Sequence, residues 1–136
     1  MKLLWLDDIR DPHDKEVNWL VFSPIPLYNL KEVVWVKSYT EFVNWIIENG
    51  LPDGICFDHD LGLINHFERV ESGISKRKSK LLKQVEMTGF DCAKWLVEYC
   101  INNAQPLPLW NIQSANPVGK ENINGLLNNF KDHFQD

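Results

Sequence analysis

Apolar residues in this chain come in short unbroken runs that end on acids or turn formers, with stretches of helical spacing between them. Leu3-Leu4-Trp5-Leu6 and Ile55-Cys56-Phe57 are continuous rather than alternating, which is what a strand covered on both faces requires. Val33-Val34-Trp35-Val36-Lys37-Ser38 is rich in β-branched and aromatic residues and predicts another strand. Leu109-Trp110-Asn111-Ile112-Gln113, introduced by Pro106-Leu107-Pro108, predicts the last one. Between them lie helices. Phe42, Val43, Trp45, Ile46 and Ile47 give one an apolar face, with Ser38 or Thr40 as its N-cap and Asn49-Gly50 as its end. Thr88-Gly89-Phe90-Asp91 reads as a capping box opening a second, whose buried face is Phe90, Cys92, Ala93, Leu96, Val97 and Cys100. Asn116-Pro117 starts a third, with Ile123, Leu126, Leu127, Phe130 and Phe134 recurring at spacings of three and four. Residues 15–22 could form a short helix on Val17, Leu20 and Val21, stopped by Ser23-Pro24-Ile25-Pro26.

Strands alternating with helices imply right-handed crossovers and an α/β architecture of three layers: a mostly parallel four-stranded sheet with helices on both faces. With 136 residues, 44% of them hydrophobic, the chain fits a single domain, 1–136, with a full core. A polar insertion over about 63–87 carries Lys76, Arg77, Lys78, Lys80 and Lys83. It reads as a solvated, mobile excursion, or as a lid bringing positive charge over an anionic ligand.

A net charge of -5 argues against broad binding to duplex nucleic acid. Three cysteines, an odd number without CxxC spacing, favour a reducing compartment over a disulfide framework. No signal peptide or membrane span fits the N-terminus, so a cytoplasmic location is expected.

The chemistry gathers where two strands end. Leu3–Leu6 runs into Asp7-Asp8, and Ile55–Phe57 runs into Asp58-His59-Asp60. In open parallel sheets ligands collect at the carboxyl ends of the strands, so four carboxylates are expected to meet at one edge. Such a cluster repels itself without a cation. Asp7, Asp8, Asp58 and Asp60 suit a hard divalent ion such as Mg2+, whereas no cysteine or histidine spacing suits zinc. The bland alternative is that these acids are turn formers and caps. Strand alternation sends His59 to the face opposite Asp58 and Asp60, where it is either a packed imidazole or, if the backbone has left the strand, a proton carrier. Arg10 either orients a phosphate or pairs with Asp11 or Asp14. Ser114 and the helix start at Asn116 to Gly119, with Lys120 nearby, offer either an anion seat or ordinary capping.

Leu4-Trp5-Leu6-Asp7-Asp8-Ile9-Arg10, Asp58-His59-Asp60-Leu61-Gly62, Thr88-Gly89-Phe90-Asp91 and Ser114-Ala115-Asn116-Pro117-Val118-Gly119 together resemble the cyclic-phosphate-processing receiver family of bacteria and phages. More distantly the plan is similar to a response-regulator receiver: an acidic pair after the first strand, an acid after the third and a Ser or Thr after the fourth. The resemblance implies a truncated receiver or flavodoxin-like fold with strand order 2-1-3-4. Two departures stand out. After the helix that follows Ser114 no fifth strand with its lysine is expected within residues 1–136, and Gln113 stands where the closer family is expected to carry His.

The expected activity is a metal-assisted phosphoesterase on a cyclic or terminal phosphate of a nucleotide or an RNA end. Asp58, His59 and Ser114 would be its catalytic groups, Arg10, Asn116 and Lys120 its phosphate contacts, and Mg2+ or another divalent ion its cofactor. The rival expectation is a noncatalytic regulatory or partner-binding module with Asp58 as phosphoacceptor. A third is nucleic-acid binding through residues 76–83. Oligomeric state is left open.

Overall fold

The computed structural model describes residues 1–61 and 87–134. The strands are β1 (Lys2–Leu6), β2 (Glu32–Val36), β3 (Gly54–Phe57) and β4 (Leu109–Ile112), and the helices are α1 (Tyr39–Asn49), α2 (Gly89–Asn103) and α3 (Pro117–Phe134). All strand pairs are parallel, in the order β2-β1-β3-β4. Nearly all of the insertion expected over 63–87, including its basic cluster, lies outside the described residues.

Side-chain alternation divides the strands between two cores. Leu4, Leu6, Val36, Ile55, Phe57 and Ile112 point to the face covered by all three α-helices, where Phe42, Ile46, Cys92, Leu96, Ile123 and Leu127 meet them. Leu3, Trp5 and Cys56 point the other way and are covered by Ile25, with Trp19, Leu20, Phe22 and Leu30 around it. This is why the apolar runs of β1 and β3 do not alternate. Each large side chain so buried contributes roughly 1.5–3 kcal/mol.

The second layer differs from expectation in its form. Instead of an α-helix over 15–22, the chain makes short 3-10 turns at Trp19–Phe22 and Leu27–Asn29. Asp11 and Asp14 take the N–H groups of His13 and Glu16 onto their side chains, at 2.8 and 2.9 Å, and so compete with helix formation just before the segment. Pro24 and Pro26 close it from the other side. Val17 and Val21 are left exposed.

The helix ends follow the sequence closely. Ser38 Oγ accepts from Glu41 N–H at 3.1 Å, and Gly50, at φ 83°, ends α1. Thr88 and Asp91 form the full capping box of α2. Asn116 Oδ1 accepts from Gly119 N–H at 3.0 Å at the start of α3. Gly125, inside α3, has nothing within 4 Å of where a Cβ would stand. Gly125→Ala is therefore expected to stabilise the domain by about 0.5–1 kcal/mol, read as a rise in thermal midpoint.

Candidate functional site

The register aligns Leu6 with Val36 on one side and with Phe57 on the other, and Phe57 with Ile112. One residue further on, Asp7 N–H donates to Val36 O (3.0 Å), Asp58 N–H to Leu6 O (2.9 Å) and Gln113 N–H to Phe57 O (3.0 Å). The ladder thus continues one step beyond the strands and fixes Asp7, Asp58 and Gln113 in a row at the carboxyl edge. This edge holds a cavity of about 200 Å³ lined by Asp7, Asp8, Ile9, Arg10, Asp58, Asp60 and Ala115. That volume admits an ion with a phosphate group, and is below the roughly 300 Å³ at which pockets for whole small ligands begin. Two larger hollows, of about 410 and 420 Å³, share Leu107, Pro108 and Leu109 under the opposite ends of the strands and contain no group of carboxylates.

Asp7, fully buried, is held by four donors. Its Oδ1 accepts from the backbone N–H groups of Ile9 (3.0 Å) and Arg10 (2.9 Å), and its Oδ2 from Arg10 Nη1 (3.1 Å) and Gln113 Nε2 (3.4 Å). Its carbonyl accepts from Trp35 Nε1 at 2.7 Å. Gln113 also donates to Leu6 O at 2.9 Å, while its Oε1 is buried without a hydrogen-bond partner. The residue at the expected histidine position thus acts here as a brace for Asp7.

Asp58 is buried at the end of β3, with Arg10 Nη1 3.8 Å from its Oδ1. Burial pushes its carboxyl up to about 7, and the charges of Asp7 and Asp8 add to the rise against the lowering pull of Arg10. Asp7, Asp8 and Asp58 each offer a carboxylate oxygen, and these lie within 4.8 Å of one another. The donor set is entirely oxygen, which suits Mg2+ or a similar hard cation. Asp60 lines the same cavity but is not in this group of three; its side chain is 69% exposed and its Oδ1 meets His59 Nδ1 at 2.9 Å.

Of the remaining candidates Arg10 lines the cavity, whereas His59, Ser114, Asn116 and Lys120 are not in its lining. The His59 ring lies against Gly119 so closely that a Cβ there would collide with it. Asn116 Nδ2 approaches His59 Nδ1 and Asp60 Oδ1 at 3.4 Å each, while its Oδ1 caps α3. Ser114 Oγ accepts from Asn116 N–H at 3.1 Å, and Lys120 is exposed on the first turns of α3. Arg10 pairs with Asp7 and Asp58 rather than with Asp11 or Asp14. Burial raises the thiols of Cys56 to about 12 and Cys100 to about 11, and that of Cys92 as well, so none is poised as a nucleophile.

Two glycines make close approaches at the site that the sequence reading did not foresee, Gly89 having been read only within a capping box and Gly119 only within the helix start. Gly89 donates its N–H to His59 O at 2.7 Å, and a Cβ on it would run into the carbonyl of Asp58. Gly119 makes room for the His59 ring in the same way. Both lie next to caps, which accounts for them locally and conceals the close approach. The signal was their position in the two motifs, Thr88-Gly89-Phe90-Asp91 and Asn116-Pro117-Val118-Gly119.

A parallel β2-β1-β3-β4 sheet with an acidic cavity at its carboxyl edge defines a receiver-like α/β domain. The chain belongs to the cyclic-phosphate processing receiver domain family, whose model matches residues 2–129. No match is found among curated proteins or among solved structures. Among the described residues no helix is long and apolar enough to cross a membrane.

Proposed function

We propose that this domain is a metal-assisted phosphoesterase acting on cyclic or terminal phosphates of nucleotides or RNA ends. The observation that carries the reading is the convergence of Asp7, Asp8 and Asp58 within 4.8 Å in a cavity of phosphate size, in a chain of the cyclic-phosphate processing family. Asp8 and Asp58 would hold the divalent ion, with Asp60 at the rim. Asp7, whose oxygens also accept from four donors, would support them. When bound, the ion would offset phosphate charge and lower the pKa of a bound water. Arg10 lines the cavity and presents a planar fork to a phosphate oxygen. His59, paired with Asp60, would exchange a proton at the cavity's edge, with Asn116, which approaches Asp60, and with Ser114 and Lys120 as further phosphate contacts from the side of α3. Purified protein with Mg2+ should open a cyclic nucleotide or release its phosphate. Asp58→Ala should reduce that rate by at least about a hundredfold; activity surviving it would refute this mechanism.

One observation favours a second reading. The His59 ring rests on Gly119 and does not line the cavity. A noncatalytic receiver-like module, with Asp58 as phosphoacceptor, would need no imidazole there. Treatment with a small phosphodonor followed by intact mass measurement separates the two, since a stable adduct lost in Asp58→Asn, without turnover, supports regulation.

A further inference from the structure

The position of Arg10 is unusual for a phosphate-binding arginine, because its charge is already engaged inside the acidic cavity. Nη1 makes a hydrogen bond to Asp7 Oδ2 at 3.1 Å, but stands 3.8 Å from Asp58 Oδ1, beyond hydrogen-bond range. The first contact is directional and the second is charge attraction alone. The main chain of Arg10 is pinned, its N–H to Asp7 Oδ1 at 2.9 Å and its carbonyl to Trp5 Nε1 at 3.0 Å. The guanidinium rests over the Trp19 ring at 5.3 Å, and the side chain is 25% exposed. A fixed backbone with a partly exposed fork leaves side-chain rotation as the available motion.

An ion held by Asp8 and Asp58 would place like charges side by side in this cavity. The weaker of the two Arg10 contacts, the one to Asp58, is the one in conflict. We propose that Arg10 is the cavity's built-in counter-cation, competing with the divalent ion for Asp58 and turning to the phosphate group once the ion is seated. This rests on the divalent-cation reading of the cavity. Asp7 does not depend on Arg10 to keep its place: three other donors, the N–H groups of Ile9 and Arg10 and the Gln113 amide, remain when the guanidinium is removed. Loss of the guanidinium therefore changes the charge of the cavity more than its shape.

The test is Mg2+ titration by calorimetry in phosphate-free buffer, with circular dichroism to establish that each variant is folded. Arg10→Gln should bind Mg2+ at least roughly fivefold more tightly than the wild type, because a repelling charge has been removed. Arg10→Lys, which keeps the charge, should stay within about twofold. Inorganic phosphate, added with saturating Mg2+, should bind Arg10→Gln roughly tenfold more weakly than the wild type. Equal or weaker Mg2+ binding by folded Arg10→Gln, with the wild type binding normally, overturns this proposal alone and makes the guanidinium a scaffold. Should Arg10→Gln not fold, a tenfold loss of Mg2+ affinity in Arg10→Lys overturns it equally. Binding by Arg10→Gln but not by the wild type supports the counter-cation and removes the metal from the proposed function. Absence of binding in both refutes both.

Discussion

At pH 8, in the presence of a chelator, Asp58→Asn is expected to be more stable than the wild type by about 2 kcal/mol, and at pH 4 the two should be nearly equal. The sign follows from the direction of the shift. The Asp58 carboxyl titrates near 7 in the folded domain against an ordinary value of 3.8, so between those values the native state binds a proton that the unfolded chain does not. The stability this provides is fully present below about pH 4 and is lost as pH rises through 7. The full shift, 7 minus 3.8, would correspond to about 4 kcal/mol. Asp58 borders a cavity open to water, so screening reduces this to about half. Asparagine keeps the shape without the charge that burial, Asp7 and Asp8 oppose.

Urea denaturation at pH 4, 6 and 8 reads this difference directly. Adding Mg2+ at pH 8 should stabilise the wild type and leave Asp58→Asn almost unchanged, because the ion relieves a repulsion that the variant no longer has. A variant less stable than the wild type at pH 8 without cation would mean that the pull of Arg10 outweighs burial. The carboxylate would then be a satisfied ion pair, and the case for a cation there would fall with it.

The sheet and the location of the site were legible because they follow from local pattern. Leu3–Leu6 and Ile55–Phe57 had to be strands covered on both faces, and acids placed directly after two such strands have to meet if the strands are parallel neighbours. Caps at Ser38, Thr88 and Asn116 were legible for a similar reason, since each bond spans three residues. The partners of Arg10 were not. Asp11 and Asp14 are closer in sequence than Asp58, but they turn their side chains onto nearby backbone N–H groups. The sheet then supplies Asp58 from 48 positions away. The helical spacing of Val17, Leu20 and Val21 predicts a helix over 15–22 where the chain makes 3-10 turns, because only tertiary contacts reveal that Ile25 and Trp19 cover Trp5 and Cys56. Close approach of two backbones is the least visible of all. It leaves only a glycine, and a glycine beside a cap already has a local explanation.

Gly89 is where that blindness has the largest consequence, and Gly89→Ala is expected to destabilise the domain by about 3 kcal/mol or more. The added Cβ would overlap the carbonyl of Asp58 and stand 3.0 Å from His59 Cα. Both obstacles belong to the main chain, so no rotamer change relieves them. Either α2 withdraws and breaks the bond from Gly89 N–H to His59 O, or the end of β3 shifts and takes the Asp58 carboxylate out of line with Asp7 and Asp8. Helix propensity alone would give the opposite sign, since alanine is the better helix former by about 1 kcal/mol. Gly125→Ala, with open space around it, supplies the control in which propensity acts unopposed. Urea denaturation should therefore separate the two substitutions in opposite directions, and Mg2+ titration of whatever Gly89→Ala folds should show affinity weakened at least tenfold. A neutral or stabilising Gly89→Ala would mean that α2 does not press on the Asp58–His59 backbone, and that the site is positioned by the strands alone.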